Sequence, residues 1–225
     1  MNAKKIAGEK AVEHVRDGMV VGLGTGSTAF WVVRKLGEKV KNGLNIKGIP
    51  TSKSTQKLAI EMNIPLITFS DVNHIDITID GADEISSTLD LIKGGGGALL
   101  REKIVAFASE KFVVVADESK YVKELGSFSL PVEITPFGFE ATKREIQKFK
   151  CLTKIRKLEK NEPFITDNGN YILDCYFELI EDPSHLHTQL NMIPGVVENG
   201  LFVNMVDQVI IGYNDGEVKV LDKLE

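Results

Sequence analysis

Residues 19–29 read MVVGLGTGSTA. A short apolar run, MVVGLG, meets glycines and hydroxyl side chains. A helical pattern follows over 27–41, with Phe30, Val33, Leu36 and Val40 in register. An apolar strand without polar alternation is buried on both faces, as in parallel sheets covered by helices. The same alternation continues downstream. IKGIP (46–50), ITF (67–69), IDITID (75–80) and KFVVVAD (111–117) read as strands, and LDLIKGGGG (89–97) as a strand running into a loop. SKSTQKLAIEMN (52–63) and ALLREKIVAFAS (98–109) read as helices. Upstream, Ile6, Ala7, Ala11, Val12 and Val15 predict a helix over 3–17, ended by Asp17-Gly18. The expected fold class is α/β: a mostly parallel, Rossmann-like sheet flanked by helices. Right-handed crossovers put the loops that follow the strands on one edge.

Near residue 126 the texture changes. SLPVEITPFGFEATKREIQKF gives a strand, a turn and a helix; YILDCYFEL (171–179) alternates; HLHTQLNMIP (185–194) is helical. GVVENGLFVN (195–204) predicts a hairpin turning at Asn199-Gly200. These elements suggest a smaller α+β domain. VDQVIIGY (206–213) and EVKVL (217–221) are strands that could rejoin the first sheet.

Bulk composition narrows the function. The chain has 225 residues, 43% hydrophobic and 26% charged, ordinary for a globular chain able to bury a core. A net charge of -5 argues against a nucleic-acid partner, which demands basic surface. It leaves room for one small phosphate in a local pocket. The N-terminus lacks the apolar stretch of a signal peptide, and no apolar run is long enough for a membrane span. The expectation is a cytoplasmic protein. Cys151 and Cys175 fit no metal spacing and read as structural thiols of a reducing compartment. His185 and His187 are poorly aligned for shared ligation on a helix.

Three loops carry the candidate chemistry. GLGTGSTA (22–29) contains G-x-G-x-x-A, the short dinucleotide pattern. The second strand ends in GIPTSKST, without the acid that would hold a ribose hydroxyl. A single phosphate is the better ligand: N–H groups at a helix start, with the hydroxyls of Thr25, Ser27 and Thr28, offer many donors to one dianion. The alternative is that Ser27 only caps the helix. DGADE (80–84) follows a strand and crowds Asp80, Asp83 and Glu84 into one turn. A capped, solvated turn or a Mg²⁺ or Ca²⁺ site are the alternatives there, though no Asp-x-Asp-x-Asp-Gly frame is present. LIKGGGGALLREK places Lys93 before four glycines and Glu102 on the following helix, in its expected second turn. Walker loops instead put lysine after the glycines. No cysteine or histidine occurs in any of the three, which removes thiol and imidazole nucleophiles. A carboxylate base, a second acid for ring opening and an ammonium near a developing enediolate suit aldose–ketose isomerisation of a sugar phosphate.

GLGTGSTA, TSKST, DGADE, KGGGGALLREK, VADESK, LPVEI and PGVVENGLF occur in this order between residues 22 and 202. Together they resemble the A-type ribose-5-phosphate isomerases over the whole chain. The resemblance implies interconversion of D-ribose 5-phosphate and D-ribulose 5-phosphate in the non-oxidative pentose phosphate pathway, with no cofactor and no metal. It implies Glu102 as the base between C1 and C2, Asp80 and Asp83 at the sugar hydroxyls, and Lys93 facing the enediolate. Thr25, Gly26, Ser27 and Thr28, Gly81 and Ala82, Gly94, Gly95 and Gly96, and Lys120 would bind substrate. Glu84 is left to a structural or supporting role. The resemblance also implies an α/β catalytic domain of residues 1–126 and 205–225, a small α+β domain of residues 127–204, and a homodimer or homotetramer. The rival readings are a sugar-phosphate-sensing effector domain and a coenzyme A transferase acting through a glutamate. The first normally follows a DNA-binding helix-turn-helix, for which the roughly 20 residues ahead of the first loop are too few. The second would form a glutamyl thioester.

Overall fold

Most of the apolar runs form strands where they were expected, and the hydroxyl-rich and glycine-rich segments between them turn the chain. A computed structural model describes residues 2–159 and 161–223. The elements of the first half are α1 (Ala3–Ala11), β1 (Val20–Leu23), α2 (Ala29–Lys41), β2 (Lys47–Pro50), α3 (Lys53–Glu61), β3 (Ile77–Gly81), β4 (Glu84–Ile85), β5 (Leu91–Ile92), α4 (Leu99–Phe107) and β6 (Phe112–Asp117). There follow β7 (Leu130–Ile134), α5 (Phe139–Gln147), β8 (Leu152–Ile155), β9 (Tyr171–Tyr176), α6 (Pro183–Asn191), β10 (Val196–Asn199), β11 (Leu201–Phe202), β12 (Gln208–Gly212) and β13 (Val218–Asp222). They sort into two units, Met1–Ala82 with Arg101–Tyr121 and Met205–Glu225, and Asp83–Leu100 with Val122–Asn204. The division expected from sequence, 1–126 with 205–225 and 127–204, differs in placing residues 83–100 and 122–126 with the first unit.

The first unit is a six-stranded sheet in the order β13-β12-β6-β3-β1-β2. Every neighbouring pair is parallel except β12 with β13, which forms an antiparallel edge. The return of the last two strands to this sheet is therefore as expected. Inner strands such as FVVVAD are buried almost throughout, whereas β13 is largely exposed. Ala7, Ala11, Val32, Val33 and Leu36 from α1 and α2 pack on Val21, Leu23, Ile79 and Val113. On a separate cluster, Val105 of α4 meets Ile49 and Ile75. Each large side chain buried in this way contributes roughly 1.5–3 kcal/mol. Asn2 caps α1 by accepting the N–H of Lys5, and the expected long helix shortens to α1 plus a 3-10 turn at Val12–His14.

The strand order decides where a ligand can sit. From β1 the chain steps outward to β2, then returns to β3 on the other side of β1. That reversal is a topological switch point, and in open α/β sheets ligands bind outside the strand ends at such a point. The loop leaving β1 carries GTGST, and the end of β3 carries DGA.

The second unit holds a four-stranded antiparallel sheet, β10-β7-β9-β8, and a three-stranded one, β11-β5-β4. Its core gathers Leu130, Val132, Ile146, Leu173, Leu186 and Leu190 with both cysteines. Three expectations fail. ITF (67–69) is no strand: Leu66 makes one isolated bridge to Gly48, and Thr68 and Asp71 cap a 3-10 turn that bends the chain away. LDLIK does not extend the parallel sheet. Its β5 pairs antiparallel with β4 and β11, because Ser86 accepts the N–H groups of Thr88 and Asp90 and folds residues 86–90 into a tight return. Asn199-Gly200 is not a hairpin turn. The strands on either side join different sheets, and the Asn199 carboxamide accepts the Leu201 N–H while donating to Asn191.

Candidate active site

In the first unit the loop after β1 lies against β3. An added Cβ on Gly24 would stand 2.3 Å from Asp80 Oδ1, so only glycine admits this approach. Asp80 is fully buried at the end of β3. Its Oδ1 accepts the N–H groups of Thr25 at 2.9 Å and Gly81 at 2.7 Å, which fixes the carboxylate between the two loops. Gly81 and Ala82 continue the strand end and are half-buried.

The Thr25 hydroxyl lies 2.7 Å from Thr51 Oγ1, 2.8 Å from Ser52 Oγ and 3.0 Å from Thr55 Oγ1. Thr55 donates to the Gly24 carbonyl and Thr51 to that of Leu23. The TSKST segment therefore serves as a brace, and the Thr25 side chain is engaged in it. Beyond, Gly26 takes a positive φ of 108°, and its carbonyl accepts the Phe30 N–H as α2 begins. Thr28 occupies the helix cap position without a capping side-chain bond. Ser27 does not cap α2 either: its hydroxyl accepts from Lys4 Nζ at 2.9 Å. The first N–H groups of a helix lack intrahelical partners and form a natural anion seat.

Lys4 was not anticipated from sequence. It comes from α1, and its ammonium is also 3.9 Å from Asp117 Oδ2 at the end of β6. Asp117 accepts the Ser119 N–H and starts the 3-10 turn that ends at Lys120, which is half-buried. Glu102 lies in the first turn of α4, one turn earlier than expected, because the helix starts at Leu99. It is 5% exposed. Glutamate is seldom buried without a specific use.

In the second unit Asp83 immediately precedes β4. Its N–H donates to the Ile92 carbonyl, and its Oδ2 accepts the Gly95 N–H at 2.7 Å. Lys93 is 2% exposed, its N–H donates to Gly200 O, and its ammonium stands 5.5 Å from the Phe202 ring centroid. The glycines then turn tightly. Gly94 and Gly97 have φ of 103° and 76°, and the Gly97 N–H donates to the Gly94 carbonyl at 2.9 Å. Gly95 and Gly96 at the tip are exposed. Arg156, also not anticipated, donates to the Gly94 and Gly95 carbonyls. Glu84 is structural: buried, it accepts the N–H groups of Gly126 and Phe128.

Among the described residues, the group of three side chains spaced to share a metal is His74, Asp76 and Glu110. It lies at the start of β3, at the far end of that strand from Asp80, and includes no residue of DGADE. The arrangement in the first unit suits anion binding and proton transfer by carboxylates; that in the second supplies an ammonium and a row of peptide groups.

The pattern of the family described as Ribose 5-phosphate isomerase A (phosphoriboisomerase A) matches residues 47–216. A ribose-5-phosphate isomerase A of Bacillus mycoides is 54% identical over 217 residues, 96% of this chain and 98% of that protein. That of Listeria monocytogenes is 51% identical over 99% of this chain and all of its own length. A D-ribose-5-phosphate isomerase solved in complex with phospho-erythronic acid superposes with a TM-score of 0.95 at 43% identity, covering 99% of this chain and 100% of the other. The enzyme from Plasmodium falciparum gives 0.95 at 44% identity over 99% and 98%.

Proposed function

Because the chain belongs to the ribose 5-phosphate isomerase A family, we propose that it interconverts D-ribose 5-phosphate and D-ribulose 5-phosphate through an enediolate. One of Asp80 and Asp83 assists opening of the furanose. Glu102 takes the proton from C2 of the open aldose. The C–H electron pair becomes the C1–C2 double bond, and the carbonyl pair moves onto O1. Lys93 stabilises the negative oxygen, as a fixed cation does best where charge develops in a dry site. The O2 proton passes to O1, Glu102 returns its proton to C1, and the carbonyl reforms at C2. Every atom of the aldose is retained in the ketose, and no redox partner is consumed.

The phosphate is assigned to the loop just ahead of α2, where the backbone N–H groups of Gly26, Ser27 and Thr28 precede the first helical residue, Ala29, and Lys4 adds a positive charge beside Ser27. Lys120 is assigned to the same anion. The roles of Gly81, Ala82, Gly94, Gly95 and Gly96 are backbone contacts to the sugar. The assignment calls on no metal or cofactor, since side chains and backbone groups fill each role. Membership also favours a cytoplasmic homodimer or homotetramer with a sugar phosphate as its ligand; no described helix is long and apolar enough to cross a membrane. The effector-domain alternative is set aside, as the likeness to isomerases extends over nearly the entire chain.

The observation that carries the reading is the burial of Glu102 and Lys93, two charged types that proteins rarely enclose. The test is ketose formation from ribose 5-phosphate by the purified protein, with glucose 6-phosphate and arabinose 5-phosphate as controls. Ribulose 5-phosphate is the expected product, and its absence at high enzyme concentration would overturn the reading.

A further inference from the structure

The KGGGG loop is unusual in being nearly bare of side chains, yet it is not loosely held. Arg156, on the strand-like segment after β8, reaches it with one nitrogen. Nη1 donates to Gly94 O at 2.8 Å and to Gly95 O at 2.9 Å. The rest of the guanidinium is fixed from behind: Nε donates to Asp174 Oδ2 at 3.0 Å and Nη2 to Asp174 Oδ1. Both side chains of this pair are largely buried, at 17% and 13% exposure. The Arg156 N–H donates to Ile172 O, so the backbone is pinned as well. Phe164 completes the clamp. Its N–H donates to Arg156 O, its ring centroid lies 6.0 Å from the guanidinium carbon, and an added Cβ on Gly97 would meet that ring at 2.4 Å.

In a planar trans peptide the C=O and N–H point in opposite directions. Two successive carbonyls drawn to Arg156 therefore turn the next two N–H groups, those of Gly95 and Gly96, away from it. For Gly95 the result is visible, since its N–H donates to Asp83 Oδ2 at 2.7 Å. A carbonyl bound to a guanidinium is also polarised, which strengthens the donor on the other side of the same peptide.

We propose that Arg156, held by Asp174, is a positioning residue: it sets the orientation of the Gly95 and Gly96 N–H groups and, through Gly95, of the Asp83 carboxylate. The inference rests on the isomerase reading only in assigning Asp83 and these glycines to substrate. Arginine is suited to the task because its planar fork binds a carboxylate on two sides while a third nitrogen serves the loop, which an ammonium cannot do.

The test compares wild type, Arg156→Ala and Arg156→Lys by steady-state kinetics on ribose 5-phosphate, thermal melting and amide hydrogen exchange. The clamp predicts that kcat of Arg156→Ala falls on the order of 10²-fold, the effect of roughly 1 Å of misplacement. KM changes less, and free guanidinium ion restores part of kcat. Arg156→Lys, which keeps the charge and most of the volume, loses about tenfold in kcat with the fold intact. It carries the test if the alanine variant does not fold. In both variants the Gly95 amide exchanges faster than in wild type. Turnover of Arg156→Lys within twofold of wild type would overturn the proposal, as would unchanged Gly95 exchange. An inactive wild type would count against the isomerase reading, and the exchange measurement would still judge the clamp.

Discussion

The loops that leave β1 and β5 are both glycine-bearing, and they are stabilised in opposite ways. GTGST in the first unit is tied down by side chains: four hydroxyls, from Thr25, Thr51, Ser52 and Thr55, bond to one another and to strand carbonyls. KGGGG in the second unit has almost no side chains to use, so its peptides are gripped from outside by Arg156 and Asp83. Under the proposed assignment the difference matches two tasks. A monoanionic or dianionic phosphate is held equally in substrate, intermediate and product, so a rigid seat for it contributes uniform binding. An enediolate exists only along the reaction, so groups directed at it act on the rate.

The comparison can be broken by kinetics. The largest expected effect lies with the proton carrier. Glu102→Gln should fold normally and lose about 10²- to 10⁴-fold in kcat, the usual contribution of a general base. Near-normal turnover would remove Glu102 from the reaction. Lys93→Ala comes next, with a loss of about 10²- to 10³-fold in kcat, by analogy with oxyanion donors. If its loss fell wholly on KM, the second loop would be a binding element like the first and the contrast would fail.

The first loop should show the reverse pattern. Lys4→Ala removes one positive charge from the proposed phosphate seat and should raise KM several-fold at nearly constant kcat, with the difference shrinking as salt screens the site. A fall in kcat alone would place Lys4 in the chemistry. Thr55→Val strips a buried hydroxyl from the brace and leaves the Gly24 carbonyl short of its donor. A cost of about 1–3 kcal/mol is expected, read as a lower melting temperature with a raised KM. The smallest effect expected is none: turnover should survive a chelator. Loss with EDTA and recovery with Mg²⁺ would bring metal chemistry into the mechanism.

Much of this could be read in the residues. Runs such as VVGL and FVVVAD have no polar alternation because both faces of the strand are covered, and they marked the parallel sheet. DGA announced itself as a site by following an apolar strand. The second unit was harder, because β4, β5 and β11 are two residues each, too short for any periodicity. Asn199-Gly200 has the composition of a hairpin turn, but tertiary bonds to the Asn199 side chain and to Gly200 override the local preference. Lys4 and Arg156 were silent in sequence: each reaches its loop across a long chain separation, 23 residues to Ser27 and 62 to Gly94, and only the fold brings them there. TSKST stood out in sequence only as a strand end without an acid and as a shared motif; that its hydroxyls brace the first loop shows only in the fold.

The central claim is that Glu102 carries one proton between C1 and C2. Ribose 5-phosphate incubated in deuterated water tests it most directly, with deuterium followed in both sugars. The account predicts deuterium at C1 of ribulose 5-phosphate and at C2 of recovered ribose 5-phosphate, with both signals nearly lost in Glu102→Gln. Exchange that continues undiminished in that variant would contradict it.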